Sequence, residues 1–241
     1  IYAVISVVGA LLFIVLAREK PATPPEVSEA EAGATFSLKG MGKISKSFNF
    51  VILEILFFIG VGLFTGLAQW IESILSPRGI SSTDAGIIAG LMIFGGIIGS
   101  IVIPGISDKI MRRKPFAIID LAVAALMLYI LAVATDFTLL VATGLILGFF
   151  LMSALPIGLT MSAEISGPVM AGSASSLLWL FSQVGSVIFI LGMDAIRPMQ
   201  ENLKLYPENP WYLSVILILI LDVIALALCF MLKETGRKPA K

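Results

Sequence analysis

The chain has 241 residues, 58% hydrophobic and only 13% charged, with a mean hydropathy of +1.03. Soluble domains carry roughly 25% charged residues, so a water-soluble globular fold is excluded. Zero net charge gives no handle for nucleic acid, the lack of histidine removes imidazole metal sites and histidine catalysis, and one cysteine, Cys229, permits no internal disulfide.

The chain opens inside an apolar run, Ile1-Tyr-Ala-Val-Ile, with neither an initiator methionine nor a basic lead-in. This reads as the back part of a longer protein rather than as a signal peptide. Seven apolar segments follow, over residues 1–17, 49–75, 84–106, 115–134, 137–163, 172–193 and 211–232. Each is near the ~20 residues a spanning helix needs. They are continuous rather than alternating, which predicts helices and excludes a barrel. Residues 18–47 change character: Pro, Glu, Ser and Ala dominate first, as in a solvated linker. Phe36 to Phe48 then carries Lys39, Lys43 and Lys46 among apolar residues, either a surface helix or a basic lead-in to the next span.

The cations are unevenly shared. Thirteen fall on the side of the linker, the 104–115 turn and the C-terminus; Arg78, Arg197 and Lys204 fall on the other. The positive-inside rule places the first group in the cytoplasm. The predicted layout is a span over 1–17, a cytoplasmic linker over 18–47, a six-helix bundle over 48–232 and a cytoplasmic tail over 233–241.

Polar residues within spans are the candidate functional groups, because each costs about 2.5–3.5 kcal/mol at mid-bilayer if charged. Glu54, Thr65, Gln69 and Glu72 share one face of the second span, at 100° per residue. They either line a cavity or, for the two glutamates, reach the headgroups. The fifth span repeats the pattern with Ser153, Pro156, Thr160 and Glu164, and the sixth carries Ser175, Trp179, Ser182, Gln183 and Ser186. Gln183, near mid-depth, needs a ligand or another helix as partner. Asp222, also near mid-depth, should be protonated or paired, since a bare carboxylate in hydrocarbon is untenable. Asp120 lies close enough to the basic turn to meet Arg112 or Arg113. Glycines interrupt the second span (Gly60, Gly62, Gly66) and the fifth (Gly144, Gly148, with Pro156), and corresponding breaks in a three-plus-three repeat point to a transport pathway. The small residues of the third span, Gly95, Gly96 and Gly99 among them, read as packing positions.

The turn Asp108-Lys109-x-x-Arg112-Arg113-Lys114 between two spans resembles the signature loop of the major facilitator superfamily. Pro104 stands where that loop has its leading glycine, and Met111 replaces the glycine of the basic cluster. Leu147 to Gly158, Glu164 to Pro168 and Gly172 to Gln183 are similar to the feline leukaemia virus subgroup C receptor-related branch, with Ala171 in place of a common arginine. The resemblance implies an all-α membrane protein: a six-helix half of a twelve-helix transporter, preceded by its sixth helix (1–17) and central loop. It implies secondary active or facilitative transport of a small organic solute, with neither enzymatic activity nor a cofactor. The branch is associated with choline- and ethanolamine-like amines and with haem.

By that resemblance Gln183, Thr65, Gln69 and Trp179 are expected to contact substrate, an amine or another metabolite. Thr65 stands where animal members have a tyrosine, so an aromatic wall for a quaternary ammonium is missing from this half. Glu54, Glu72 and Asp222 are the candidate coupling groups. Asp108, Lys109, Arg112, Arg113 and Glu164 would form a gate, with Asp108 offered to a helix N-terminus and the arginines paired with Glu164. The expected partners are the lipid bilayer, read as that of the plasma membrane with the C-terminus on the cytoplasmic side, and the missing N-terminal half. The competing reading is a non-transporting polytopic receptor or assembly subunit.

Overall fold

The computed structural model describes residues 2–16, 42, 44–202 and 209–236. The linker and Phe36–Phe48 expectations fall largely outside these residues. The helices are α1 (Tyr2–Leu16), α2 (Phe48–Leu75), α3 (Ser82–Ile110), α4 (Lys114–Val133), α5 (Phe137–Ser166), α6 (Ala171–Asn202) and α7 (Tyr212–Met231), with a 3-10 turn at Ser76–Arg78. From α2 to α7, six helices are long and apolar enough to cross a membrane. The described part of α1, 15 residues, falls short of the ~20 needed, and its residues from Ser6 to Leu16 are exposed.

Local chemistry sets the ends. Ser81 caps α3 by accepting from the Asp84 N–H at 3.2 Å while donating to its carboxylate at 2.8 Å. Asp136 caps α5 through the Leu139 N–H at 2.8 Å, and Pro115 sits in the first turn of α4, where no helical N–H bond is lost. α3 runs on to Ile110, so Pro104, Asp108 and Lys109 belong to the helix and only Met111–Arg113 form the turn. Met111 takes the left-handed conformation, φ 57°, at the position expected to favour glycine.

Helix pairing has an internal symmetry. α3 packs chiefly on α5, and α2 on α6; α4 packs on α5 and α7, and α2 on α7. Exchanging α2 with α5, α3 with α6 and α4 with α7 turns these pairs into one another, the pattern of a three-plus-three repeat. Both main crossings are made on glycine. A methyl group at Gly148 would strike the Met92 carbonyl, at Gly99 the Phe149 carbonyl, and at Gly95 the Leu145 carbonyl. On the other pair, one at Gly185 would strike the Phe58 carbonyl and one at Gly62 would press on Gly185 and Phe189. Gly62 and Gly66 of α2 and Gly144 and Gly148 of α5 are therefore crossing points in continuous helices, not breaks, and Pro156 lies inside an unbroken α5. At Gly60, Gly86 and Gly90 an added methyl would meet open space.

At the Arg78 end, α2 and α4 are pinned together. The Arg78 guanidinium donates to the carbonyls of Leu131, Ala132 and Ala134 at 2.5–2.9 Å, satisfying the last acceptors of α4.

Candidate functional site

The opposite end holds the densest polar cluster, and Arg113 is its centre. Arg113 is the N-cap residue of α4, only 5% exposed. Its guanidinium donates to Asp108 Oδ1 at 2.5 Å, to Ser107 Oγ at 3.1 Å and to Glu164 Oε1 at 3.3 Å. The ends of α3 and α5 are thus drawn to the start of α4. The segment after α7 completes the cluster: Glu234 Oε1 accepts from the Arg113 and Lys114 N–H groups at 2.8 and 3.4 Å, and Thr235 donates to Glu164 Oε2 at 2.6 Å. Lys114 Nζ reaches the Phe230 carbonyl at 2.7 Å, and Gly236 backs onto the Met111 carbonyl.

The expected pairing of Arg113 with Glu164 is present. Arg112 and Lys109 are exposed and stand apart from it, contrary to expectation for Arg112. Asp108 serves Arg113 rather than a helix N-terminus; the N–H groups at the start of α4 go instead to Glu234. That choice follows from chain direction. Asp108 lies in the last turn of α3, beside Arg113, whereas the chain leaving α7 passes directly over the α4 end. Ser107, Glu234 and Thr235 were missed because nothing local in their sequence marks them.

The polar faces of the other spans divide. On α2, Glu54 is buried, Thr65 is half-buried and bonds its own helix at Val61 and Gly62, and Gln69 and Glu72 are exposed. Glu72 accepts from Ser82 at 2.5 Å. On α5, Ser153 turns inward toward α4, Glu164 is taken by Arg113, and Pro156 and Thr160 are half-buried, Thr160 bonding its own helix at Pro156. On α6, Ser182 and Ser186 are buried against their own helix, whereas Gln183 and Trp179 are exposed, one turn apart on the outer face. The Gln183 amide takes part in no helix–helix bond among the described residues.

Gln183 and Thr65 are not level. The crossing of Gly185 with Phe58 and Gly62 sets Gln183 roughly two turns, ~10 Å, below Thr65 along the parallel pair α2–α6. Thr65 and Gln69 therefore lie nearer the Arg78 end than Gln183 and Trp179. An interior cleft between α2, α4 and α5 is apolar, lined by Leu53, Phe57, Ala117, Leu121, Met152 and Leu155, and includes none of these four residues.

Among the described residues, two buried carboxylates have no hydrogen-bond partner on either oxygen. Both oxygens of Asp120 and of Asp222, and one of Glu54, are buried without a hydrogen bond. Asp120 thus meets neither Arg112 nor Arg113, contrary to the expectation that it would reach one of them. Its helix turns it inward, while Arg113 is occupied by Asp108 and Glu164. Among the described residues, no group of three or more potential metal ligands occurs.

A family model described as Major Facilitator Superfamily matches residues 1–190. An uncharacterized protein of Archaeoglobus fulgidus is 38% identical over 85% of this chain and 91% of its own length. Solute carrier family 49 member A3 of Xenopus tropicalis is 31% identical over 84% of this chain and 43% of that protein. The choline/ethanolamine transporter FLVCR2 of Homo sapiens is 28% identical over 77% of this chain and 37% of that protein. This chain thus spans less than half the length of these two animal proteins. A bacterial homolog to the human lysosomal transporter Spinster, solved inward-facing and unoccupied, superposes with a TM-score of 0.68 over 97% of this chain and 58% of its own, at 18% identity, a likeness of fold.

Proposed function

Since the chain belongs to the major facilitator superfamily, a family of multi-pass membrane transporters, we propose that it supplies the C-terminal half of a secondary active or facilitative carrier for a small organic solute. The solute is bound where this half meets an N-terminal half, and the two halves rock about it. The observation that carries this reading is the exposed pair Gln183 and Trp179 on α6. An amide and an indole stand open at membrane depth, where lipid offers no hydrogen bond and a facing half would enclose a polar cavity.

In this reading Gln183 and Trp179 contact the solute at one level, and Thr65 and Gln69 line its path toward the Arg78 end. Glu54, Glu72 and Asp222 are the carboxylates available for coupling. The Arg113 cluster, with Asp108, Glu164, Lys109 and Arg112, is a gate at the cytoplasmic end of a plasma-membrane protein whose C-terminus is cytoplasmic. No step involves covalent chemistry. The names of the relatives favour an amine, choline or ethanolamine, as the first solutes to try, with Trp179 as the aromatic face available to a quaternary ammonium where Thr65 supplies none.

Counterflow in proteoliposomes of the full protein tests the proposal, with labelled amines and a metabolite panel. Exchange that is lost without a gradient-independent counterflow signal for every solute would favour a receptor or assembly subunit. Gln183→Ala is expected to raise the half-saturation concentration about tenfold, the equivalent of one hydrogen bond of ~1.4 kcal/mol, with turnover little changed.

A further inference from the structure

Asp120 is the buried acid that the transport reading leaves unused. It lies on the second turn of α4, 1% exposed, with neither oxygen hydrogen-bonded. α4 packs here on α5 and α7. From α5 it is approached by Ser153, fully buried, whose own hydroxyl hydrogen goes to the Phe150 carbonyl at 2.7 Å. From α7 the fully buried Cys229 thiol lies within electrostatic reach of it, and Asp222 is nearly two turns away on the same helix. On α4 itself the nearest cation is Lys114, held by the Phe230 carbonyl. Among the described residues, Asp120 therefore has no ion pair, and the Ser153 hydroxyl beside it is directed to the Phe150 carbonyl rather than to the carboxylate.

An ionised carboxylate so placed would carry an uncompensated buried charge. A hard metal cation could offset it only with several oxygen ligands. Beside Asp120 the seam offers one hydroxyl and one thiol. A proton needs a single oxygen.

We propose that Asp120 is a proton-binding site in the α4–α5–α7 seam, separate from the solute-contacting face of α2 and α6. Ala117 and Leu121, within one turn of Asp120 on α4, line the apolar cleft between α2, α4 and α5. When water enters that cleft, the acid O–H bond breaks, the proton passes to water and the carboxylate remains; reloading reverses the step. α4 starts at Arg113, so the charge created on Asp120 lies about two turns from the gate cluster on the same rigid helix. This gives the proton a route to bias that cluster without touching the solute. The site stands on its own geometry, and only its consequence for uptake rests on the carrier reading.

Infrared difference spectroscopy of the purified full protein, titrated from acid to alkaline buffer, reads the site directly. A protonated-carboxyl C=O band is expected to vanish on alkalinisation. It should be missing from Asp120→Asn, shifted in Asp120→Glu, and retained in Asp222→Asn and Glu54→Gln. The Asp120→Glu variant keeps the test open should Asp120→Asn fail to fold. A band unchanged in both Asp120 variants overturns the proposal, as does a band that responds to sodium at fixed pH rather than to protons. In proteoliposomes, Asp120→Asn should lose the pH dependence of uptake while exchange continues. If the Asp120 band is found and no solute is exchanged by any variant, the proton site stands and the carrier reading fails.

Discussion

Arg113 and Glu164 meet at 3.3 Å across the α4–α5 seam, although 51 residues separate them in the chain. Their contact is buried on the arginine side and only partly open on the other, whereas Asp108, the second carboxylate on Arg113, is 62% exposed. Burial ranks the two. Removing a partner from a buried ion pair costs about 3–5 kcal/mol, while exposed pairs contribute about 0–1 kcal/mol. Glu164→Gln should therefore lower the unfolding temperature in detergent clearly more than Asp108→Asn. Equal shifts for the two would mean that Arg113 is not anchored by Glu164.

Asp108→Asn is expected to act on rate. It weakens one contact at the gate and leaves the Gln183 face intact, so turnover should change more than the half-saturation concentration. Initial uptake measured over a range of solute concentrations separates the two, and wild-type turnover in the variant would leave Asp108 with a role in topology alone.

The glycine crossings make a paired prediction. Gly148→Ala and Gly99→Ala place a methyl against backbone carbonyls that cannot move independently, so each should cost about 1–3 kcal/mol or more. Gly86→Ala and Gly90→Ala lie on the same type of helix with open space at the methyl position and should be neutral or stabilising by up to about 1 kcal/mol. Thermal unfolding of the four variants side by side checks the contrast.

Sidedness can be read with single cysteines at Thr83 and Arg112, both exposed and at opposite ends of α3. An impermeant maleimide should label Arg112→Cys only from the cytoplasm and Thr83→Cys only from outside. Cys229, fully buried, should stay silent. Labelling of both positions from one side would invert or break the topology.

Asp222 makes no hydrogen bond that an amide could inherit. If it carries the coupling proton, Asp222→Asn should leave exchange intact and abolish accumulation against a gradient, since a fixed neutral side chain cannot load and release a proton. pH-driven uptake unchanged in both Asp222→Asn and Glu54→Gln would remove these two carboxylates from coupling.

The six spans were legible because their apolar runs are long and are separated by short polar turns; the caps at Ser81 and Asp136 came only with the structure. The approach of Glu164 to Arg113 was legible for a related reason, as both charges sit at the same end of adjacent spans. Other features were hidden by the nature of the signal. Helical periodicity assigns a residue to a face but does not say what covers that face, so Ser153 and Gln183 looked alike although one is buried and the other open. Composition cannot show that Glu234, three residues past α7, folds back over the start of α4. Nor does it show which glycines touch a neighbour. Gly60 and Gly62 are two residues apart, on nearly opposite faces, and only the second meets α6.

Where backbone rests on backbone, as at Gly148 on Met92 and Gly185 on Phe58, no side chain is left to change rotamer. Such a joint has no graded response: it slides as a unit or it holds, because close-packed contacts of this kind do not stretch. The pairs α2–α6 and α3–α5 then behave as two stiff beams, and any bending within this unit falls to the side-chain-filled seams around α4 and α7. Those are the helices that carry Asp120 and Asp222, so a proton gained or lost at either acid acts on a seam filled by side chains rather than on a glycine crossing.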